Sequence, residues 1–106
     1  WKVRLCFDPV IIYDNWEQDY GDLLNKIIFS IDRKNIYDIT VGVFRMGQDY
    51  FQRVRKSYPD SLEYYKNYVL EDKIMTVAQD DRDAVKTLFT NKLRDYISED
   101  KIYFWM

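Results

Sequence analysis

The stretch VRLCFDPVIIYDNWEQDY, residues 3–20, decides how the fold of this chain is interpreted. Apolar and polar side chains alternate up to Phe7, a pattern typical of a β-strand with one buried face. We expect Asp8-Pro9 to end this strand, because proline lacks the backbone N–H that strand pairing requires. Asp14 or Asn15 then provides a helix cap, with an acidic or amide side chain three residues further on. The stretch therefore predicts a strand, a loop and the start of a helix.

The periodicity of apolar residues along the chain predicts the order β-α-β-α-(ββ)-α-β. Residues 10–13 either continue the first strand beyond a kink or form the loop that follows it. The other predicted elements are a strand at 2–7, a helix from Asp14 or Asn15 to a stop at Asn35, a strand at 36–47, a helix at 48–57, a hairpin within 61–78, a helix from Asp80 or Asp81 to Ile97 and a strand at 101–106. The last strand is apolar on both faces, which favours a position inside a sheet.

This order predicts an α/β fold with two possible architectures. One is a partial (β/α) barrel, and the other is a small open, mostly parallel sheet flanked by helices; both carry an added β-hairpin. Both architectures place ligand contacts at the carboxyl ends of parallel strands. The residues that follow the first two strands are therefore expected on one rim, and they are Asp8, Pro9, Tyr13, Arg45, Met46 and Gly47.

Composition excludes several classes of protein. With 106 residues, 47% hydrophobic and 32% charged, the chain is expected to form a single globular αβ domain, residues 1–106. The net charge of −2 argues against a domain that holds nucleic acid by bulk positive charge, but it leaves room for a local basic patch. No apolar run reaches the length of a membrane span, so no membrane partner is expected.

The chain has one cysteine, Cys6, and no histidine. An internal disulfide is therefore impossible, and a zinc or iron–sulfur site built from these residues alone is not expected. A single unpaired cysteine is typical of proteins in a reducing compartment, which predicts a cytoplasmic location.

Several segments resemble, in order and with similar spacing, the C-terminal part of the spore photoproduct lyase family of radical SAM proteins. The segments are DPVIIYDNWEQDYGDLL, YDITVGVFRM, SYPDS, the tyrosine-rich hairpin, and the last helix followed by KIYFW. The resemblance implies an incomplete (β/α) barrel, with a [4Fe-4S] cluster on a CxxxCxxC loop and S-adenosylmethionine on its unique iron. The radical formed there acts on a thymine-dimer lesion in DNA.

The cluster loop and the hydrogen-returning cysteine of that family lie in its N-terminal part and have no counterpart here. We therefore expect no cofactor within this segment, S-adenosylmethionine and a [4Fe-4S] cluster in a longer parent protein, and no catalysis from the segment alone. The first residue, Trp1, is not methionine. We expect the chain to be the C-terminal fragment of that parent, with the rest of the parent barrel as its partner.

The resemblance also implies site residues. Phe7, Asp8 and Pro9 match the region near the adenosyl group, although an ordinary strand end explains them equally well. Arg45 matches a position that faces the active-site cavity, and its alternatives are a solvated rim arginine or an internal ion pair.

Candidate nucleic-acid contacts lie on the second helix and the hairpin, and they are Arg53, Arg55, Lys56, Tyr64, Tyr65, Lys66 and Tyr68. Tyrosines of this kind stack on bases or pack across a hairpin, and a basic helix face is most often simply solvated. The lesion-repairing members have a longer and more basic hairpin. In this chain Glu71 and Asp72 offset Lys66 and Lys73, which favours a relative with another substrate.

A different class of function stays open, namely a free-standing, non-enzymatic αβ module that makes protein contacts. The two hypotheses differ at the first strand. A barrel cut there would expose an unpaired sheet edge, and the isolated segment would then self-associate.

Overall fold

The structure is a computed structural model that describes residues 1–58 and 68–106. Its strands and helices, in chain order, are β1 (Val3–Val10), α1 (Trp16–Ser30), β2 (Ile36–Val43), β3 (Arg45–Gly47), α2 (Gln48–Ser57), β4 (Tyr68–Glu71), β5 (Ile74–Val77), α3 (Gln79–Leu93) and β6 (Ile102–Trp105). The described strands form two three-stranded sheets, a parallel sheet in the order β1-β2-β6 and an antiparallel sheet in the order β3-β5-β4.

The parallel sheet carries helices on one face. Leu5, Ile39 and Ile102 stand side by side across the three strands. Ile39 and Ile102 belong to the buried core together with residues of α1 and α3, and the partly buried Leu5 packs against it. The two helices also contact each other. Crossovers between parallel strands are right-handed in nearly all proteins, and two such crossovers in the same direction place both helices on the same face, as in a (β/α) barrel. The opposite face has neither helix on it, and we call it the open face.

Aromatic side chains fill the layer between the sheet and the helices. The Phe7 ring lies 5.2 Å from Phe89, which lies 6.1 Å from Tyr20, and Tyr20 lies 6.4 Å from Trp16. Gly21 is buried where the two helices approach, and a methyl group there would lie 3.5 Å from the Lys92 side chain. Trp16, Tyr20 and Gly21 therefore lie on the core face of α1.

The two loops that lead into β2 and β6 have the same construction. Each has a 3₁₀ turn directly before the strand, Arg33–Asn35 in one and Glu99–Lys101 in the other. Asp32 and Ser98 occupy equivalent cap positions with nearly equal backbone angles, φ −68° and ψ 132° against φ −63° and ψ 139°. The Asp32 carboxylate accepts a hydrogen bond from the Lys34 N–H at 3.0 Å, whereas the Ser98 side chain makes no cap hydrogen bond.

The antiparallel sheet is attached to the parallel one by hydrogen bonds and ion pairs. The Thr76 hydroxyl donates to the Phe44 carbonyl at 2.8 Å, which joins β5 to the link between β2 and β3. Arg82 on α3 is buried and contacts Glu71 on β4 at 2.8 Å. The predicted hairpin is thus confirmed for β4 and β5, and its turn places Asp72 and Lys73 at φ 49° and 64°.

Three expectations about strands were wrong. Asp8-Pro9 does not end β1, which continues to Val10 with an irregular register; on an edge strand, the outer side needs no N–H donor. The strand predicted at 36–47 is divided at Phe44, so that its two parts enter different sheets. In the described part of the chain, β6 is an edge strand rather than an inner one.

The helix boundaries also differ from the prediction. Asn15 does cap α1, but its side chain makes no cap hydrogen bond, and its carbonyl accepts from the Asp19 N–H at 3.0 Å instead. The last helix begins at Gln79 and ends at Leu93, four residues before the predicted Ile97. Among the described residues, no helix is both long and apolar enough to cross a bilayer.

Candidate functional site

A polar site lies on the open face, at the carboxyl ends of the parallel strands. The Asp8 side chain of β1 lies over β2 at the position of Gly42. A methyl group at Gly42 would lie 2.6 Å from Asp8 Cγ and 2.6 Å from its Oδ1, closer than such atoms approach. The glycine therefore provides the space that the carboxylate occupies.

Arg45 joins the ends of all three parallel strands. Its Nη2 donates to Asp8 Oδ2 on β1 at 3.2 Å, and its Nη1 donates to the Val43 carbonyl on β2 at 2.8 Å. The same Nη1 also donates to the Trp105 carbonyl on β6. The planar guanidinium fits this task because its donors point in fixed directions towards several acceptors. Arg45 thus forms an ion pair within the chain, and its predicted position facing an active-site cavity stays a prediction.

The Asp8–Arg45 pair is accessible from solvent. The side chains keep 27% and 35% of their exposure, respectively. Asp8 Oδ1 has no hydrogen-bond partner in the described part of the chain, so it is available to accept a hydrogen bond from a ligand. The expectation that Asp8 and Arg45 share one rim is confirmed by their contact.

The open face below this pair combines small polar and aromatic side chains. Cys6, Thr40 and Tyr103 stand side by side in one row, and Gly42 and Trp105 are partners in the next. Trp105 is 59% exposed and Tyr103 is 49% exposed. Aromatic faces beside a free carboxylate oxygen suit a planar ligand that carries hydrogen-bond donors.

Sequence reasoning missed Gly42, Tyr103 and Trp105. A glycine inside a strand is a signal of close approach by another group, and it could have indicated Gly42. The alternation in KIYFWM also separates Tyr103 and Trp105 from the core residues Ile102 and Phe104. The sequence does not show which face of the sheet the helices cover, so Tyr103 and Trp105 could not be assigned to the open face.

Side chains alternate between the two faces along β1, and this alternation separates two of the residues predicted to contact an adenosyl group. Phe7 packs against Phe89 on the helix-covered face, whereas Asp8, the next residue, lies on the open face. Pro9 is exposed. Phe7 and Asp8 therefore lie on opposite faces of the sheet, with Asp8 at the site, and the adenosyl contact of Phe7, Asp8 and Pro9 stays a prediction.

The loop that borders this site is held by two hydrogen bonds. The Ile11 N–H donates to the Tyr20 hydroxyl at 3.0 Å, and the Tyr13 hydroxyl donates to Asp19 Oδ2 at 2.6 Å. The hydrogen bond to Asp19 raises the pKa of Tyr13 above its usual 10.0, because the bond is lost when the hydroxyl ionises.

The predicted basic residues of α2 form one surface. Arg53, Arg55, Lys56 and Gln52 line a cavity of about 420 Å³. The Arg53 guanidinium lies 5.8 Å from the centre of the Tyr50 ring. We call this cationic surface the α2 patch.

Of the three tyrosines predicted to contact nucleic acid, Tyr68 is the one that the structure describes. Tyr68 stacks on Phe44, with ring centres 4.3 Å apart and an interplanar angle of 4°. It is half-buried in this position, so packing within the small sheet accounts for its ring. Tyr64, Tyr65 and Lys66 lie outside the described residues.

The residues present do not form a site for an iron–sulfur cluster. The sequence has one cysteine and no histidine, and the described residues contain no group of three His, Cys, Asp or Glu side chains that could hold a metal ion. Cys6 is an exposed free thiol on the open face.

Comparison with solved structures identifies a similar fold. A spore photoproduct lyase double mutant with bound AdoMet and dinucleoside spore photoproduct superimposes with a TM-score of 0.62 at 12% sequence identity, over 97% of this chain and 32% of that chain. A second structure, spore photoproduct lyase complexed with dinucleoside spore photoproduct, has a TM-score of 0.60 at 13% identity over 95% of this chain. This chain thus spans about a third of the length of these lyase chains.

No protein-family model matches this chain, and no curated protein matches it. At 12% identity, the likeness to spore photoproduct lyase shows the fold alone. The fold is an α/β arrangement like that of one part of the lyase.

Proposed function

We propose that this chain is the C-terminal αβ segment of a radical SAM, spore photoproduct lyase-like protein, with its open face lining the reaction chamber. One observation carries the proposal: in the described part of the chain, α1 and α3 pack on the same face of the parallel sheet, and the chain superimposes on a spore photoproduct lyase structure over 97% of its length. In a barrel, the face opposite the helices points to the barrel interior, and ligands bind at the carboxyl ends of the strands, where Asp8 and Arg45 lie.

The open face would contribute binding and positioning in such a protein. Asp8 offers a free oxygen at the rim, Trp105 and Tyr103 offer aromatic surface, and Arg45 holds the three strand ends at a set spacing. The segment alone would not catalyse, because its residues do not hold a cluster. The cluster and S-adenosylmethionine would belong to the remaining part of the protein, in the cytoplasm.

The α2 patch supports DNA as a partner of the full-length protein. Three cations line one cavity there, and a phosphate backbone is recognised by such side chains. The turn of the hairpin carries Asp72 beside Lys73, so lesion repair and a related radical reaction on another substrate are both consistent with the proposal.

The test uses the full-length protein encoded by the gene, purified and reconstituted with iron and sulfide without oxygen. The proposal predicts the paramagnetic signal of a reduced [4Fe-4S] cluster and the release of 5'-deoxyadenosine from S-adenosylmethionine. A full-length protein that binds no cluster and leaves S-adenosylmethionine intact would contradict it. The non-enzymatic αβ interaction module would then be the better explanation of the open face.

A further inference from the structure

A second polar surface lies at the opposite end of the parallel strands. The two loops that lead into β2 and β6 enclose a groove of about 340 Å³ at the amino ends of these strands. Arg33 and Lys34 line it from one loop, and Arg94 and Lys101 line it from the other segment. We call this the amino-end groove.

The groove has a fixed framework. The Tyr96 hydroxyl donates a hydrogen bond to the Ile31 carbonyl and so joins the two loops. Tyr96 and Ile97 are buried beneath the groove. The loop before β2 is closed by the contact between Asp32 and the Lys34 N–H. The cations therefore project from a defined surface rather than from a loose loop.

The cations of the groove form no ion pair within the described residues, although Asp32, Asp95, Glu99 and Asp100 lie on the same two segments. Arg33, Lys34, Arg94 and Lys101 are exposed, and none of them forms an ion pair there, in contrast to Arg4, Arg45 and Arg82, which each pair with a carboxylate. Asp95 is the one carboxylate in the lining. Lys2 adds another ammonium group at the edge, where its Nζ donates to the Lys34 carbonyl at 2.7 Å.

Helix stabilisation accounts for only one of these charges, because Arg94 is the C-cap residue of α3. Cations stabilise a helix when they lie in its last turn, near the exposed carbonyls. The last turn of α1 contains no basic residue, and Arg33, Lys34 and Lys101 all lie in 3₁₀ turns beyond the helices. Arg33, Lys34 and Lys101 therefore have no stabilising role at a long helix, and they are available to an external anion.

We propose that the amino-end groove binds the phosphate backbone of a nucleic acid, independently of base sequence and of the function proposed above. Four cations around one concave surface suit the phosphates of a single strand, whereas a bilayer presents a flat array of headgroups. The contact lies at the end of the strands opposite the Asp8–Arg45 rim.

The test measures the anisotropy of a fluorescein-labelled, single-stranded oligothymidylate with the full chain, over a range of salt concentrations. The double variant Arg33→Gln/Lys101→Gln is compared with Lys26→Gln/Lys86→Gln, which removes two exposed helix lysines. For the groove variant we expect an affinity loss of at least about tenfold at about 50 mM salt, and a plot of log affinity against log salt that is shallower by about 1.4. The control should keep the affinity and slope of the unmodified chain.

Further measurements distinguish nucleic-acid binding in the groove from binding to a membrane surface and from binding at the α2 patch. Equal affinities of the groove variant and the unmodified chain would overturn the proposal, as would an equal loss in the lysine control. Binding to phosphatidylserine vesicles that depends on Arg33 and Lys101, without oligonucleotide binding, would assign the groove to a membrane surface instead. An affinity loss confined to Arg53→Gln/Lys56→Gln would overturn the groove while supporting the α2 patch. Circular dichroism confirms that each variant is folded.

Discussion

Asp8 and Arg45, 37 residues apart in the chain, meet at 3.2 Å above Gly42, where no side chain separates them from the sheet. The pair connects the end of β1 to β3, and the same guanidinium reaches the carbonyl of Trp105 on β6. The carboxyl ends of the parallel strands are thus held by one side chain, and the shape of the open face depends on it.

The variant Gly42→Ala should break this arrangement. The added methyl group would overlap the Asp8 carboxylate, so either Asp8 leaves Arg45 or the strands move apart. We expect a loss of about 1–3 kcal/mol in the free energy of unfolding, measured by urea denaturation.

Gly47→Ala is the matched control for this prediction. Nothing lies within 4 Å of the added methyl group, and Gly47 has φ −56°, which alanine adopts readily. Its stability should stay close to that of the unmodified chain. Equal stability of the Gly42→Ala variant would show that Asp8 has room to lie elsewhere at no cost.

The sequence predicted the helices and the parallel strands better than the contacts between them. Local periodicity is sufficient to place α1 and β2, because each buries one regular face. Because the carboxyl ends of neighbouring parallel strands lie at one edge of the sheet, the sequence also predicted that Asp8 and Arg45 share one rim. The break at Phe44 depends on pairing with β5, which is distant in sequence, so no local pattern indicates it. The acceptors of Arg45 are backbone carbonyls, and their positions follow only from the register of three strands.

The variant Lys73→Gly should stabilise the hairpin. Asp72 and Lys73 both have positive φ in the two-residue turn between β4 and β5, a conformation that favours Asp-Gly over Asp-Lys. Glycine at this position avoids the clash of a Cβ atom, and the Lys73 carbonyl can still accept from the Gln48 N–H. We expect a gain of about 0.5–1 kcal/mol in the free energy of unfolding by urea. A loss of stability would mean that the lysine side chain makes a compensating contact.

The variant Ser98→Asp should also stabilise the protein. Asp32 caps its 3₁₀ turn by accepting from the N–H two residues further on, and Ser98 occupies the equivalent position without such a bond. An aspartate at position 98 should form the missing bond and gain about 0.5–1 kcal/mol, measured by thermal unfolding. Ser98→Ala is the control, and its small effect should confirm that the serine hydroxyl contributes no cap. A destabilised Ser98→Asp variant would show that the two loops are not equivalent.

Alkaline pH should weaken the protein through Tyr96. Burial and, to a smaller extent, the charge of Asp32 raise the pKa of Tyr96 above 10.0, so the folded state favours the protonated hydroxyl. The protonated Tyr96 hydroxyl makes its full contribution to the free energy of unfolding below pH 10.0, the pKa in the unfolded chain. This contribution is lost as the pH rises through the higher pKa of the folded state. Tyr96→Phe lacks the hydrogen bond to the Ile31 carbonyl and should be about 1 kcal/mol less stable at neutral pH. Urea denaturation between about pH 8 and pH 11 should show that the free energies of unfolding of the unmodified chain and of Tyr96→Phe converge above about pH 10. A difference between them that stays constant over this range would exclude Tyr96 as the titrating group.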